Sequence, residues 1–355
     1  MIKVNYPLVS VVVPTYNAEK FIKSAIASVL KTDYQNFEVV LVDDCSSDKT
    51  LDIVKRNFSK EKKLRIFQNK KRLLAAGTRN RGCEEASGVY IALLDHDIEV
   101  DKNWIKEALK VFQKYKDAGV VQGVVLDIKK RSIIHHAGIM INPYLGWVTS
   151  LGFGQDVNKY KPREKEVFAD ATGLIFKKSV WKKVGGFDED LAINLDDWDF
   201  NWRCWLCGSK QILAPKSITY HWSKTQKTRD AWIKRVFWEF HFAKMPWLFI
   251  KNYELTNLIK FLPIYLAVNL FRGLFNIFFR FNFAPLIAFF KSLIFVIAKF
   301  PILLRKREKV QKGRKVKDEY LINKLMDNSF IFTYFFKRWL PIISLGKSVA
   351  QEEPY

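Results

Sequence analysis

The first 230 residues alternate between strand patterns and helix patterns, and this alternation sets the fold class. Leu8 to Val13 is a continuous apolar, β-branched run closed by Pro14, which is typical of a buried parallel strand. Glu19 to Leu30 then places apolar side chains at helical spacing. The rhythm repeats, with strands predicted at 37–42, 64–67 and 89–94 and helices at 48–57 and 75–86. The sequence therefore predicts an α/β domain with a mostly parallel, Rossmann-like sheet and helices on both faces.

Polar and acidic side chains come directly after three of the predicted strands. They are Pro14, Thr15 and Tyr16 after the first strand, Asp43 and Asp44 after the second, and Asp95, His96 and Asp97 after the fourth. Ligands of open α/β sheets bind beyond the carboxyl ends of the strands. We therefore expect these side chains to line a ligand site at one edge of the sheet.

The basic residues are concentrated in the last third of the chain. Of the net charge of +23, residues 1–230 carry +10 (38 basic less 28 acidic) and residues 231–355 carry +13 (21 basic less 8 acidic). No Asp or Glu lies between Glu254 and Glu308, whereas eight Lys and Arg residues do. Fifteen of the 29 phenylalanines lie between residues 231 and 304. Basic residues interleaved with so many apolar ones favour an anionic membrane surface over nucleic acid as the partner.

The pattern within this Phe-rich segment predicts amphipathic helices that lie along a membrane rather than across it. The longest uncharged run, Phe261 to Phe271, has 11 residues, fewer than the ~20 that a span requires. At about 100° per residue, four polar residues of the first helix share one side: Asn269, Arg272, Asn276 and Arg280. After Pro285, a second segment places three polar residues on one side and ends in a basic cluster: Lys291, Ser292 and Lys299, then Arg305, Lys306 and Arg307. A helical pair packed on the first domain or buried in a dimer is the alternative.

The chain divides into two predicted parts, a domain at residues 1–230 and a basic, helical, membrane-associating region at 231–355. The boundary is predicted near Thr225 to Trp232, and no internal repeat or Gly/Ser linker is visible. The first residues, Met1 to Tyr6, lack the apolar stretch of a signal peptide. We therefore expect the protein at the cytoplasmic face of the cell membrane, bound peripherally or in the interface.

A series of short motifs runs in order through the first 223 residues. They are Val9-Ser10-Val11-Val12-Val13-Pro14-Thr15-Tyr16-Asn17, Leu41-Val42-Asp43-Asp44, Leu94-Asp95-His96-Asp97, Thr172-Gly173 with Gly185-Gly186-Phe187-Asp188-Glu189, Asp196-Asp197-Trp198-Asp199-Phe200 with Arg203, and His221-Trp222-Ser223. Their residues and order resemble those of family 2 glycosyltransferases of the GT-A fold. In addition, His135-His136-Ala137-Gly138 is similar to a motif of the subgroup that includes rhamnosyltransferase-like and galactofuranosyltransferase-like enzymes.

The resemblance implies a nucleotide-sugar donor, whose diphosphate is held with a divalent cation, Mn²⁺ or Mg²⁺. It places the metal ligands at Asp95, Asp97 and His221, and side-chain alternation in an extended segment would put both aspartates on one side. The nucleotide-sugar site would comprise Pro14, Thr15, Tyr16, Asp43, Asp44, Arg79, Asp95 and His96. Asp44 can accept the N3 proton of uracil or thymine, which favours a UDP- or dTDP-sugar. A hydrogen-bonded role without metal for His221, and a solvated helix face for Arg79, are the alternatives.

The same resemblance implies inversion of the anomeric carbon by a single displacement, for which one base takes the acceptor proton. It assigns this base to Asp197, while Asp196 orients the base or binds the acceptor. Trp198 would stack on a sugar. Asp199 is interpreted as a carboxylate favoured by the N-terminal helix dipole. Because the family usually has Glu where Asp196 stands, the division of roles between Asp196 and Asp197 is open.

These features predict an inverting, metal-dependent glycosyltransferase that moves a sugar to a hydroxyl of a glycan, one growing on a polyprenyl-type lipid. In one alternative, polyprenyl phosphate is itself the acceptor, as in dolichyl-phosphate sugar synthases. A basic nucleic-acid-binding protein is a second alternative. It is disfavoured, and no nucleic acid partner is expected, because the acidic residues at the strand ends would repel a phosphate backbone. Intact acidic motifs likewise disfavour a non-catalytic domain.

Overall fold

The computed structural model describes residues 7–222 and 243–327. Its strands are β1 (Val9–Thr15), β2 (Phe37–Asp43), β3 (Leu64–Gln68), β4 (Tyr90–Leu93), β5 (Ile98–Val100), β6 (Ala118–Asp127), β7 (Ile134–His136), β8 (Ile139–Ile141), β9 (Val148–Ser150), β10 (Leu174–Lys177) and β11 (Lys210–His221). Its helices are α1 (Ile22–Leu30), α2 (Thr50–Phe58), α3 (Leu74–Glu85), α4 (Trp104–Lys114), α5 (Val157–Tyr160), α6 (Lys178–Val184), α7 (Asp196–Leu206), α8 (Ala243–Asn252), α9 (Leu255–Arg280), α10 (Ala284–Ala298), α11 (Phe300–Lys312) and α12 (Asp318–Lys324).

Nine strands form one sheet in the order β3-β2-β1-β4-β10-β6-β11-β5, with β7 paired to β6. The pairs β3-β2, β2-β1 and β1-β4 are parallel, and so is β6-β11. β10 runs antiparallel between β4 and β6. The predicted α/β fold is confirmed, and every strand and helix predicted before residue 95 is present. In the register of β1 with β2, Thr15 lies opposite Asp43, so the polar ends of these strands are neighbours.

Apolar side chains are buried on both faces of the sheet, which is why the β1 and β2 patterns are continuous rather than alternating. On one face, Ile22 of α1 and Trp104 of α4 pack against the strands. On the other face, Phe200 of α7 packs with residues of α3 and α6. Helix α3 lies so close to β1 that a Cβ at Gly82 would stand 2.3 Å from Cγ1 of Val12. This close approach fixes the helix that carries Arg79.

Helix α8 packs on the first part of the chain. Trp247, Phe249 and Tyr253 are buried in one cluster with Trp202 of α7. The ring centroids of Trp202 and Tyr253 are 4.8 Å apart, with the rings nearly perpendicular. The region after residue 243 therefore begins as part of the core of the molecule. The predicted boundary near residues 225–232 lies outside the described residues.

Helices α9 and α10 form a hairpin on which many large apolar side chains are exposed. A Cβ at Gly273 of α9 would lie 3.1 Å from Cα of Leu286, so the two helices approach closely at that glycine. Two residues of the predicted polar side of α9 face the protein: Asn276 is buried and the Arg272 guanidinium lies 5.6 Å from the Trp147 ring. Ser292, predicted on the water side of α10, is also buried, which corrects that prediction. The side chain of Arg280 is not among those that the structure describes.

Within the described residues, one helix, Leu255–Phe279, is long and apolar enough to cross a membrane by length and composition. The uncharged run of 11 residues therefore underestimates this apolar segment, because the helix continues through Lys260 and Arg272. Helices α10 and α11 pass the same test only as a pair, and they meet at a bend of 76°.

Candidate active site

The Asp95-His96-Asp97 segment joins β4 to β5 as a turn. The N–H of Ile98 donates to the carbonyl of Asp95 at 3.2 Å, which closes the turn. The extended conformation predicted for this segment is therefore wrong, and alternation does not decide where the two carboxylates point. Asp95 instead accepts a hydrogen bond from Arg79 at 3.2 Å, and Oδ2 of Asp97 lies 3.5 Å from Nε2 of His221.

Arg79 links two acidic motifs that are distant in sequence. Its guanidinium donates to Oδ1 of Asp95 at 3.2 Å and to Oδ2 of Asp196 at 2.7 Å. Arg79 and Asp196 are both buried. The solvated helix face considered for Arg79 is therefore wrong. Burial opposes the charge of this arginine, but the carboxylates of Asp196, Asp95 and Asp197 raise its pKa.

Helix α7 begins with the two acidic residues predicted to handle the acceptor. Burial raises the pKa of Asp196 to about 7, although Arg79 opposes the shift. Asp197 accepts hydrogen bonds from the N–H of Trp198 at 2.9 Å and from the N–H of Ala171 at 3.3 Å. Burial, followed by the charge of Asp170, raises the pKa of Asp197 well above its ordinary value. Because Asp196 is committed to Arg79, Asp197 is the better placed of the two to act as a base.

The carboxyl ends of β1 and β2 hold the predicted nucleotide residues side by side. Asp43 is buried, with Oδ2 accepting from the N–H of Ser46 at 3.1 Å, whereas its Oδ1 has no hydrogen-bond partner. The hydroxyl of Thr15 is likewise buried without a partner. Tyr16, at the end of this motif, has its ring 3.4 Å from the guanidinium of Arg72. Oδ1 of Asp43 and the hydroxyl of Thr15 can therefore still form hydrogen bonds with a ligand.

Asp44 already organises the loop that follows β3. Its two oxygens accept hydrogen bonds from Asn69, from Arg72 and from the N–H groups of Leu73 and Leu74. Burial raises the pKa of Asp44, but these hydrogen bonds outweigh it and hold the pKa below its usual value. The carboxylate is therefore ionised and fixed in direction at the end of β2.

The predicted metal ligands come together only in part. Asp97 and His221 are neighbours, and Nδ1 of His221 is buried without a hydrogen-bond partner. Burial raises the pKa of Asp97, but the hydrogen bond and charge of His221 lower it to about 2. The carboxylate of Asp97 suits Mn²⁺ or Mg²⁺, whereas the imidazole nitrogen of His221 is a poor ligand for Mg²⁺. Asp95 points to Arg79, and no group of three His, Cys, Asp or Glu side chains within residues 7–222 and 243–327 is arranged to hold a metal.

Three further side chains lie at the site without having been predicted there. The rings of His135 and His221 are 4.6 Å apart, and Nε2 of His136 lies 3.8 Å from Oδ2 of Asp170. Asp170 in turn lies beside Asp197. The motif His135-His136 drew notice in the sequence, but Asp170 stands in a segment without regular structure before β10. Only the folded chain brings Asp170 to Asp197.

The fold and this placement of acidic residues define a domain of the GT-A class. Residues 10–185 match the family described as glycosyl transferase family 2. The chain therefore belongs to glycosyltransferase family 2, which confirms the predicted family and with it the assignment to the glycosyltransferases. The subgroup suggested by His135-His136-Ala137-Gly138 is not established by this match.

Curated relatives agree with this assignment. A putative teichuronic acid biosynthesis glycosyltransferase, TuaG of Bacillus subtilis, is 36% identical over 104 residues, which is 29% of this chain and 41% of that protein. The chain spans about two fifths of the length of the first curated relatives that it matches.

Two solved structures share the fold. Staphylococcus aureus TarS 1-349 in complex with UDP-GlcNAc superposes with a TM-score of 0.56 at 20% identity, covering 88% of this chain and 91% of that one. GalNAc-T7 with UDP, GalNAc and Mn²⁺ superposes with a TM-score of 0.53 at 20% identity, covering 62% and 44%.

Proposed function

We propose that this protein transfers a sugar, with inversion, from a UDP- or dTDP-sugar to a hydroxyl of a glycan at the cytoplasmic face of the cell membrane. One observation carries the proposal: Arg79 is bonded to both Asp95 and Asp196, next to Asp197. A single buried side chain thus joins the motif proposed to hold the donor diphosphate to the motif proposed to receive the acceptor.

The donor's nucleotide is proposed to bind at the ends of β1 and β2. Asp43 and Thr15 each offer a buried polar atom with no partner, and Asp44 is held ionised beside them. A uracil or thymine N3–H group would donate to a carboxylate at this edge. The complex of TarS with UDP-GlcNAc supports a UDP-sugar donor for a domain of this fold.

A divalent cation is proposed at Asp97 and His221, with Asp95 as the third predicted ligand. When bound, such an ion would stabilise the negative charge that develops on the departing diphosphate. The Mn²⁺ in the GalNAc-T7 structure supports this proposal. In this chain, Arg79 would add a second positive charge beside Asp95, and its fixed fork suits a phosphate oxygen.

The chemistry proposed for the acceptor side needs one base and no protein nucleophile. Asp197 would take the proton of the acceptor hydroxyl while that oxygen attacks the anomeric carbon. The bond from the anomeric carbon to the phosphate oxygen breaks, and the nucleoside diphosphate leaves with the electron pair. Trp198, which is half-buried while the other residues of α7 are buried, is proposed to stack on the acceptor sugar.

The apolar surface of α9 to α11 supports a membrane-bound, lipid-linked acceptor. Large apolar side chains are exposed along all three helices: Phe271, Leu274, Phe278 and Phe279 on α9, Ile287, Phe290, Ile294 and Ile297 on α10, and Phe300, Ile302 and Leu304 on α11. Their only charged neighbours between Glu254 and Glu308 are basic. This combination suits a bilayer that contains anionic lipid. A glycan on a polyprenyl-type lipid would be presented at that surface.

The first test is nucleotide release from a panel of UDP-, dTDP- and GDP-sugars by the purified full chain, with Mn²⁺, with Mg²⁺ and with EDTA. We expect metal-dependent release of UDP or dTDP from one donor. With an acceptor, Asp197→Asn should lower kcat by about 10²- to 10⁴-fold. Asp117→Asn, an exposed aspartate paired with Lys210, is the matched control.

Two outcomes would contradict the proposal. Full activity of Asp197→Asn would remove the assigned base. If no donor is hydrolysed and no nucleotide raises the melting temperature, the chain does not bind a nucleotide sugar. The mass of the product separates transfer to a glycan from transfer to polyprenyl phosphate.

A further inference from the structure

Two carboxylates, Asp170 before β10 and Asp197 at the start of α7, accept hydrogen bonds from the same main-chain N–H group. The N–H of Ala171 donates to Oδ1 of Asp170 at 2.8 Å and to Oδ2 of Asp197 at 3.3 Å. The shared donor places the two carboxyl groups side by side. An ionised carboxylate has no proton to donate, so the two groups can form a hydrogen bond with each other only when the pair holds a proton.

The surroundings of the pair favour retention of that proton. Asp197 is buried, and the Arg79 guanidinium that attracts it is bonded to Asp95 and Asp196 rather than to Asp197 itself. Burial, followed by the charge of Asp170, raises the pKa of Asp197. The side chain of Asp170 is about a quarter exposed and faces His136.

The histidine that faces Asp170 does not supply a compensating charge. Burial lowers the pKa of His136 to about 3, with a smaller contribution from His221, so its imidazole is neutral. Its Nε2 atom lies 3.8 Å from Oδ2 of Asp170, which is beyond hydrogen-bond distance. Asp170 and Asp197 therefore remain two like charges whose repulsion is relieved when one proton is shared.

We propose that Asp170 is the positioning residue of the base, and that Asp170 and Asp197 act as one carboxyl pair that shares the proton removed from the acceptor. This inference rests on the proposed glycosyl transfer. Asp197 faces the reaction and receives the proton. Asp170 accepts a hydrogen bond from the newly protonated carboxyl group and so stabilises the protonated form.

The proton lost by the acceptor hydroxyl is accounted for at each stage of the step. The doubly ionised pair takes one proton from the acceptor hydroxyl, the acceptor oxygen bonds to the anomeric carbon, and the nucleoside diphosphate departs. The pair is then singly protonated. It returns to its starting state by releasing the proton to water through Asp170, whose side chain is the more exposed of the two.

The first test is the pH dependence of kcat/KM for Asp170→Asn in the full chain. Removing the like charge should move the acid limb to lower pH by about one unit or more and lower kcat several-fold, with the donor KM unchanged. Asp170→Glu keeps a carboxyl group and should restore the acid limb toward that of the wild type. Asp117→Asn is the control with an unchanged profile. A profile of Asp170→Asn that superposes on the wild type overturns the proposal.

The second test does not require activity, and it uses Asp170→Ser beside Asp170→Asn in case one of the two variants fails to fold. Aspartate labelled with ¹³C at the side-chain carboxyl reports the titration of Asp197 by NMR. We expect the titration midpoint of Asp197 to fall by about one unit or more in either variant. An unchanged midpoint refutes the pair even if the enzyme is active. Coupled titration without any sugar transfer would instead refute the proposed function and leave the pair standing.

Discussion

The ammonium group of Lys251, on α8, lies 2.7 Å from Oδ1 of Asp199, on α7, and both side chains are buried. The same ammonium contacts Asp188, which also accepts a hydrogen bond from Nε1 of Trp247 at 3.1 Å. Lys306 of α11 contacts Asp188 as well. The basic C-terminal region is thus bonded to the helix and loop that carry the proposed acceptor site.

Replacing Lys251 with Met should destabilise the protein strongly. The change leaves Asp188 and Asp199 buried with fewer positive partners, and breaking a buried pair in this way costs about 3–5 kcal/mol. The free energy of unfolding from urea titration measures this. Lys312→Met is the matched control, since Lys312 is exposed near the end of α11. A loss for Lys251→Met no larger than that of the control would show that the network contributes little.

Replacing Arg79 with Lys should impair catalysis more than folding. A lysine keeps the charge but has no planar fork, so it cannot hold Asp95 and Asp196 in the observed geometry. We expect kcat/KM for the donor to fall by about 10- to 100-fold, which corresponds to about 1.4–2.8 kcal/mol. Steady-state kinetics and donor binding by calorimetry measure it. Arg56→Lys, on the exposed side of α2, is the control, and equal kinetics for the two variants would contradict the bridging role.

The buried carboxyl of Asp196 should make a contribution to stability that decreases as the pH rises from about 4 to 7. Burial raises the pKa of folded Asp196 to about 7, whereas an unfolded aspartate titrates at about 3.9. Between these values folded Asp196 binds more protons than unfolded Asp196, so its contribution to the free energy of unfolding falls with increasing pH. The buried imidazoles of His135 and His136 contribute in the opposite direction, because burial lowers their pKa values and the unfolded state then binds more protons. Urea titrations of the wild type and of Asp196→Asn at pH 5 and pH 7 isolate the contribution of Asp196. The difference in stability between the two proteins should shift in favour of Asp196→Asn at the higher pH, and a difference that does not change with pH would show that Asp196 is ionised throughout.

The apolar surface of the C-terminal helices should be required for membrane binding. The side chains of Phe278 and Phe281 are 73% and 86% exposed. Replacing either with Ser should weaken binding to vesicles that contain anionic lipid by about tenfold, because each buried Phe contributes ~1.5–3 kcal/mol. Vesicle co-sedimentation of the full chain measures this. Val89→Ser removes an exposed apolar side chain ahead of β4 and should have no effect. Equal loss in Val89→Ser would mean that the effect is not specific to these helices.

The α/β architecture was predictable because its signals are local. The strand pattern of β1 and the helix spacing of α1 each depend only on residues close together in the sequence. The position of the acidic residues at one edge of the sheet follows from where β2 and β4 end. The polar stripe of α9 was predictable in the same way, since helical geometry fixes which residues share a face. Its orientation was not, because the face that packs on Trp147 depends on the neighbouring elements.

The partners of the charged residues were decided by the tertiary structure. Arg79 and Asp196 are 117 residues apart in the sequence, and Asp170 has no motif of its own. Lys251 belongs to a region whose charge favoured a membrane surface as its partner. A buried charge needs an opposite charge or a hydrogen bond, and which one it finds depends on the packing of whole helices and strands. The sequence by itself therefore determined the family, the alternation of strands and helices up to residue 95 and the types of residue at the site. Only the folded chain decided which carboxylates share a proton and which are bonded to an arginine or lysine side chain.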